Sequence, residues 1–148
     1  MNNSKIHCLK IDDLDAIVKI ENNCHLSPWS RKNFIDSHDA KNLFKVLKIE
    51  DDIIGYYISL FAMDECQLLN ITVKSESQQK GFGQLMLKNL FSDCRKAKIT
   101  NIFLEVRKSN LSAIKLYEKN GFNEIGIRNN YYRNKGAKED AILMGLVL

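Results

Sequence analysis

The sequence has few of the residues that mark specialised classes of protein. It contains one proline, one tryptophan and three histidines, and its four cysteines include no Cys-x-x-Cys pair. The histidines show no metal-ligand spacing, so we expect no metal site. The cysteines are widely scattered, and Cys66 and Cys94 lie in apolar patterns. This usage predicts reduced, buried thiols and a cytoplasmic protein.

Long apolar runs and a strong charge bias are also missing. The longest apolar stretch, Ile53 to Met63, is interrupted by Gly55 and Ser59 and is too short to span a bilayer. The first residues alternate charged with apolar side chains and give no signal-peptide core. The formal net charge of +4 comes without a run of lysine or arginine. It fits an anionic ligand, and we expect no direct contact with nucleic acid or membrane.

What remains is typical of a globular protein. A chain of 148 residues, 45% hydrophobic and 27% charged, predicts one domain over residues 1–148, which we expect to be a monomer. The periodicities give the order βααβββαβαββ. That order predicts an α/β fold with a mixed, largely antiparallel sheet of about seven strands and helices on both faces. The polar, aromatic segment Arg128 to Arg133 is predicted to be a loop between the last two strands.

A glycine-containing loop follows the central strand Cys66 to Val73. It reads Gln78-Gln79-Lys80-Gly81-Phe82-Gly83 and leads into a helical pattern that ends near Lys96. The first N–H groups of a helix point outward without partners, and glycines let an anion approach the backbone. The loop is therefore either a phosphate site or a plain tight turn. It is not a P-loop, because no Gly-Lys-Ser/Thr follows.

Two side chains in the following strand and helix could carry chemistry. Glu105 interrupts the apolar strand Thr100 to Arg107, where it is either half of an ion pair with Arg107 or a lysine, or a general base in a cleft. Tyr117 lies on the same stripe as Asn110 in the next helix. It is either a core residue or a group that flanks a pocket with Glu105.

Trp29 lies in the loop between the first two predicted helices, beside the only proline. A tryptophan in such a loop is usually an anchor that packs on the core. The functional alternative is that it forms one wall of a substrate groove.

Several segments of the chain resemble the GCN5-related N-acetyltransferases. The pattern Gln78-x-x-Gly81-x-Gly83 is similar to that family's acetyl-CoA loop. The segments that are more discriminating are Ser27-Pro28-Trp29-Ser30, Leu104-Glu105-Val106-Arg107, Asn110-x-x-Ala113-x-x-Leu116-Tyr117, Arg128-Asn129-Asn130-Tyr131-Tyr132 and Glu139-Asp140-Ala141-Ile142-Leu143-Met144. They resemble the branch of the family that acts on the N-terminal alanine of a ribosomal protein.

This resemblance implies acetyl-CoA as cosubstrate and a role for each matched residue. Glu105 would remove a proton from the substrate ammonium, directly or through water, and Tyr117 would protonate the departing thiolate. The residues implied in holding acetyl-CoA are Ile71, Thr72, Val73, Gln78, Gln79, Lys80, Gly81, Phe82, Gly83, Gln84 and Asn110. The substrate's first residues would lie near Trp29, Tyr131 and Tyr132.

The expected function is thus acetyl transfer to the N-terminal amine of a ribosomal protein, without a covalent enzyme intermediate. Two alternatives stay open at the level of sequence. One is acetylation of a small-molecule amine on the same fold, because fold does not fix substrate. The other is a catalytically silent module that only binds acetyl-CoA, against which the presence of both Glu105 and Tyr117 argues.

Overall fold

The computed structural model describes residues 3–148, apart from the side chain of Asn134. The strands are β1 (Ser4–Cys8), β2 (Leu43–Ile49), β3 (Asp52–Ala62), β4 (Glu65–Val73), β5 (Asn101–Arg107), β6 (Asn123–Asn134) and β7 (Ala137–Val147). The α-helices are α1 (Leu14–Cys24), α2 (Arg31–Asp39), α3 (Phe82–Lys96) and α4 (Leu111–Lys119). The order of strands and α-helices is the predicted one.

The seven strands form one sheet in the order β1-β2-β3-β4-β5-β7-β6. Strand β4 runs parallel to β5, as expected for two strands joined through a helix. The β1–β2, β2–β3, β5–β7 and β6–β7 pairs are antiparallel. The prediction of a mixed, largely antiparallel sheet is confirmed.

The prediction that Arg128 to Arg133 form a loop is wrong, because these residues belong to β6. Tyr132 pairs with Glu139 of β7, and the hairpin closes at Lys135 and Gly136, both with positive φ. A two-residue turn in which both residues have positive φ has a twist that matches that of the antiparallel strands it joins. An irregularity between Arg128 and Tyr132, with φ of 55° at Asn130, interrupts the ladder and explains the loop-like sequence.

The chain divides into two compact units. The first comprises the chain up to Leu60 together with Leu69–Lys88, and the second comprises Phe61–Leu68 with Asn89–Leu148. The core of the first unit consists of Leu9, Leu14, Ile17, Ile20, Phe34, Phe44, Val46, Tyr56 and Ile58. In the second unit, Phe122 packs against the rings of Phe91 and Tyr117, with centroids 6.1 and 5.7 Å apart. Cys66 and Cys94 are fully buried, as predicted, but Cys8 is exposed and Cys24 is only partly buried, so the prediction of buried thiols is wrong for these two.

Gly55 in β3 marks a point where two backbones approach closely. A Cβ built at Gly55 would lie 2.5 Å from the Thr72 carbonyl oxygen and 3.0 Å from Cε of Met86. We predict that Gly55→Ala destabilises the protein by about 1–3 kcal/mol, since the Thr72 oxygen belongs to a strand that cannot move aside freely. Urea unfolding measures the change.

Gly126→Ala is the matched control for this variant. A Cβ there would lie 3.2 Å from the flexible end of the Leu143 side chain and 3.9 Å from its Cβ, and would meet no backbone atom within 4 Å. Equal destabilisation by the two substitutions would show that close backbone packing at Gly55 is not the cause.

Candidate active site

Glu105 is placed by the two-residue period of β5. Ile102, Leu104 and Val106 are buried, whereas Glu105 lies on the opposite face with 18% of its side chain exposed. Its Oε1 is 3.5 Å from Nη2 of Arg128. The carboxylate is therefore partly desolvated yet accessible, as a group that accepts a proton must be.

Arg107, which the sequence suggested as a partner of Glu105, is bound to the final hairpin. Its Nη1 donates to Oε1 of Glu139 at 2.8 Å and to the carbonyl of Arg133 at 2.7 Å. These bonds connect β5 to both strands of the final hairpin. The Arg107 hydrogen bond holds the pKa of Glu139 below its usual value. The cation that lies 3.5 Å from Glu105 is Arg128, which the sequence did not suggest as its partner.

The two tyrosines of β6 are brought to the same part of the second unit as Glu105. The Arg107 guanidinium lies 4.5 Å from the ring centroid of Tyr132, and the Tyr131 ring stands edge-on to Tyr132 at 5.0 Å. Burial and the charge of Glu105 both raise the pKa of Tyr132. Tyr131 is half exposed. The pair therefore offers one fixed ring and one open ring to a ligand.

Tyr117 of α4 belongs to the same group of side chains. Its ring is buried and packs edge-on against Phe122, which agrees with the core interpretation. Burial and, to a lesser degree, Tyr132 raise its pKa above the ordinary value for a phenol. Among residues 3–148, none hydrogen-bonds its hydroxyl. Tyr117 thus combines a core ring with a protonated hydroxyl that is available as a donor.

Asn110 is the N-cap of α4. Its Oδ1 accepts a hydrogen bond from the backbone N–H of Ala113 at 3.3 Å. The preceding residue is fixed as well, since Oε2 of Glu139 accepts from the Ser109 N–H at 3.2 Å. The cap engages the carbonyl side of the Asn110 amide, which leaves its NH₂ group for a ligand.

The glycine loop has the geometry of an anion site. Gln79 and Gly81 have φ of 61° and 89°, and α3 begins directly afterwards at Phe82. The bond from Leu85 N–H to Gly81 C=O is 3.1 Å, so the N–H groups of residues 82–84 precede the helical ladder. Phe82 is buried and can offer only its backbone. These N–H groups and the positive helix end suit a phosphate.

The end of β4 offers backbone groups to an extended ligand. Its pairing with β5 covers only Glu65–Leu68. The N–H of Lys74 donates to the Ile54 carbonyl of β3. Because the backbone groups of successive strand residues point to opposite sides, those of Ile71 and Val73 point away from β3. The Val73 carbonyl accepts from Nε2 of Gln78 at 2.9 Å. The groups that remain fit a chain with amides, such as pantetheine.

Glu21 is a site feature that the sequence analysis missed. It is 2% exposed, and its carboxylate accepts hydrogen bonds from the Tyr56 hydroxyl at 2.6 Å, Nδ2 of Asn70 at 3.1 Å and the Trp29 N–H at 3.0 Å. The available signal was its place on the apolar stripe of α1, where Leu14 and Ile17 are buried. A carboxylate on such a stripe has to find donors inside the fold.

Trp29 is half-buried, and its ring packs against Phe34 with centroids 5.2 Å apart. The ring therefore anchors the loop, as the simpler interpretation predicted, and its exposed part is the part a substrate could touch.

Comparison with known proteins identifies the family. The profile described as Acetyltransferase (GNAT) family matches residues 14–122. The chain belongs to this acetyltransferase family. Its GNAT relatives include the [ribosomal protein bS18]-alanine N-acetyltransferase of Salmonella typhimurium, which is 38% identical over 95% of both chains. A putative enzyme of the same name from Bacillus subtilis is 32% identical over 95% of this chain and 93% of its own.

Solved structures share this fold. The ribosomal-protein-S18-alanine N-acetyltransferase from Escherichia coli superposes with a TM-score of 0.91 at 38% identity, covering 97% of this chain and 93% of that one. The NatC complex bound to Gag peptide and CoA contains a chain with a TM-score of 0.87 at 18% identity, covering 99% of each, and this likeness shows the fold. The GNAT family uses acetyl-CoA.

Within residues 3–148, no three histidine, cysteine or acidic side chains are grouped as they would be around a metal ion. No helix in the same range is both long and apolar enough to cross a membrane.

Proposed function

We propose that this protein transfers the acetyl group of acetyl-CoA to the α-amine of the N-terminal alanine of ribosomal protein bS18. The observation that carries the proposal is that one unit holds both a partly buried carboxylate, Glu105, and a protonated hydroxyl, that of Tyr117, to which no other described side chain hydrogen-bonds. The 38% identity to enzymes of that name supports the choice of substrate. In this proposal the protein acts as a cytoplasmic monomer.

Acetyl-CoA supplies an activated acetyl group as a thioester. The backbone groups of Ile71 and Val73 pair with its pantetheine arm, whereas those of Thr72, which lies between them, face β3. Asn110 adds its amide to the same arm. The pyrophosphate is held by the loop and the first turn of α3, namely Gln78, Gln79, Lys80, Gly81, Phe82, Gly83 and Gln84. A backbone N–H at the end of β4 stabilises the negative charge that develops on the carbonyl oxygen during transfer.

The chain's own acid and base carry the proton transfers. Glu105 accepts the proton that the substrate ammonium loses before it can attack, directly or through one water. Tyr117 holds the proton that the leaving sulfur needs. Trp29, Tyr131 and Tyr132 line the substrate's first residues, with Tyr132 held beneath Arg107.

The competing substrate class is a small-molecule amine. Steady-state turnover against peptides with N-terminal alanine, peptides with other first residues and polyamines distinguishes the two. We expect the bS18 N-terminal peptide to have the highest kcat/KM. A higher kcat/KM for a polyamine would contradict the proposal and favour a small-molecule substrate. Binding of acetyl-CoA without turnover of any amine would favour a catalytically silent module.

The glycine loop gives a prediction about acetyl-CoA affinity. Gly83 lies in the first turn of α3, where a valine side chain would stand in the space proposed for the pyrophosphate. We expect Gly83→Val to weaken acetyl-CoA binding at least about tenfold, or about 1.4 kcal/mol. Valine is no worse than glycine inside a helix, so the fold should remain. Titration calorimetry measures the affinity.

Gly83→Ala is the graded control, for which a smaller loss is expected. An unchanged affinity in a folded Gly83→Val protein would remove the loop from the acetyl-CoA site.

A further inference from the structure

His25 follows α1 directly and belongs to the loop that ends in Trp29. The hydrogen bonds around it form a chain in which each donor can be assigned. The Glu21 carboxylate accepts a hydrogen bond from Nδ2 of Asn70. The other atom of the Asn70 side-chain amide, Oδ1, can therefore act only as an acceptor. That oxygen accepts from the Thr72 hydroxyl at 2.8 Å.

The same chain determines the tautomer of His25. Because the single hydroxyl proton of Thr72 is directed to Asn70, Oγ1 of Thr72 must accept from Nε2 of His25, 2.8 Å away. When the imidazole is neutral, its one proton is therefore on Nε2, which is also 3.5 Å from Oε1 of Glu21. Nδ1 then carries a lone pair and is an acceptor.

Nδ1 is a prepared acceptor that the structure itself does not use. The His25 side chain is one-third exposed, and no residue within 3–148 hydrogen-bonds to Nδ1. The ring cannot turn freely, because rotation would break the bond to Thr72. Glu21 fixes the same loop at its far end, where it accepts from the Trp29 N–H.

We propose that Nδ1 of His25 accepts a hydrogen bond from the backbone N–H between the first two residues of the substrate peptide. The inference rests on the proposed function, since it takes the Trp29 loop as a wall of the peptide site. A peptide that enters a site brings backbone N–H groups that lose water and need acceptors. A fixed acceptor in this loop supplies one, and it would favour peptides over simple amines.

Two substitutions at His25 separate its two nitrogens. The amide NH₂ of glutamine can reach the Nε2 position and donate to Thr72, but His25→Gln has no acceptor at the Nδ1 position. His25→Asn retains an oxygen near Nδ1 and loses the reach to Thr72. We expect His25→Gln to raise KM for the peptide about five- to tenfold, as for one lost hydrogen bond, with kcat and KM for acetyl-CoA little changed. His25→Asn should stay near the wild-type KM but unfold more easily.

A change in the substrate can be combined with His25→Gln in a cycle of the double-mutant type. Methylation of the nitrogen between the first two residues removes the N–H, and we expect it to raise KM of the wild type by the same factor. In His25→Gln, methylation of the peptide should not raise KM any further. A double change that multiplies the two losses, or a methylated peptide with unchanged KM in the wild type, would overturn the proposal.

The proposed function is tested separately from this contact. If the wild type does not acetylate the unmodified peptide, the proposed function fails. If it does, the role of His25 is decided by the ratio of KM for the methylated and unmethylated peptides in the wild type and in His25→Gln. The ratio in the wild type alone tests the contact even if a variant does not fold.

Discussion

Glu105→Gln lowers kcat for the peptide at pH 7 by about 10²–10⁴-fold and leaves the Kd for acetyl-CoA unchanged. Glutamine keeps the shape of the side chain and can still contact Arg128, but it cannot take a proton. A peptide α-amine has a pKa of about 7.7–8.0, so most of it is protonated at pH 7 and cannot attack. The activity deficit should shrink as the pH rises, because the amine then loses its proton to solvent.

The measurement is a pH–rate profile of both proteins with one peptide. Glu124→Gln is the control, since Glu124 is an exposed carboxylate in the same unit. If Glu105→Gln follows the wild-type profile throughout, Glu105 is a structural partner of Arg128 and another group is the base.

Tyr117→Phe should lower kcat by a similar factor of about 10²–10⁴, with acetyl-CoA binding retained. Phenylalanine preserves the packing against Phe122 and deletes only the hydroxyl. Because burial holds the pKa of Tyr117 above that of an ordinary phenol, the hydroxyl stays protonated near neutral pH. The loss should therefore not recover between pH 7 and 9, in contrast to that of Glu105→Gln.

Single-turnover rates and thermal unfolding together test this prediction. Unchanged turnover with unchanged stability would mean that water protonates the thiolate and that Tyr117 is a core residue alone.

The parts of the site predicted from sequence are those that local periodicity fixes. The side-chain period of two in β5 places Glu105 opposite Leu104, and the period of α4 puts Asn110 and Tyr117 on one stripe. Both predictions use only residues within about two helical turns or a few strand positions of each other. The positive φ of Gly81 and of Gly121, which ends α4, likewise reflects a local need for a residue without Cβ.

The features that sequence reasoning missed depend on distant partners. The donors to Glu21 lie 8, 35 and 49 positions away, and nothing near α1 indicates them. Arg128 became the neighbour of Glu105 through an edge strand whose polar sequence favours a loop. That strand exists because β7 pairs with it and a Lys135-Gly136 turn reverses the chain.

Position-specific mass spectrometry of the acetylated product tests the central claim most directly. The substrate is the bS18 N-terminal peptide with its first alanine and at least one internal lysine, incubated with acetyl-CoA and the wild-type protein. The account predicts one acetyl group, on the α-nitrogen of that alanine, and no product from the same peptide with a blocked N-terminus. Acetylation of the lysine side chain, or of the blocked peptide, would contradict it.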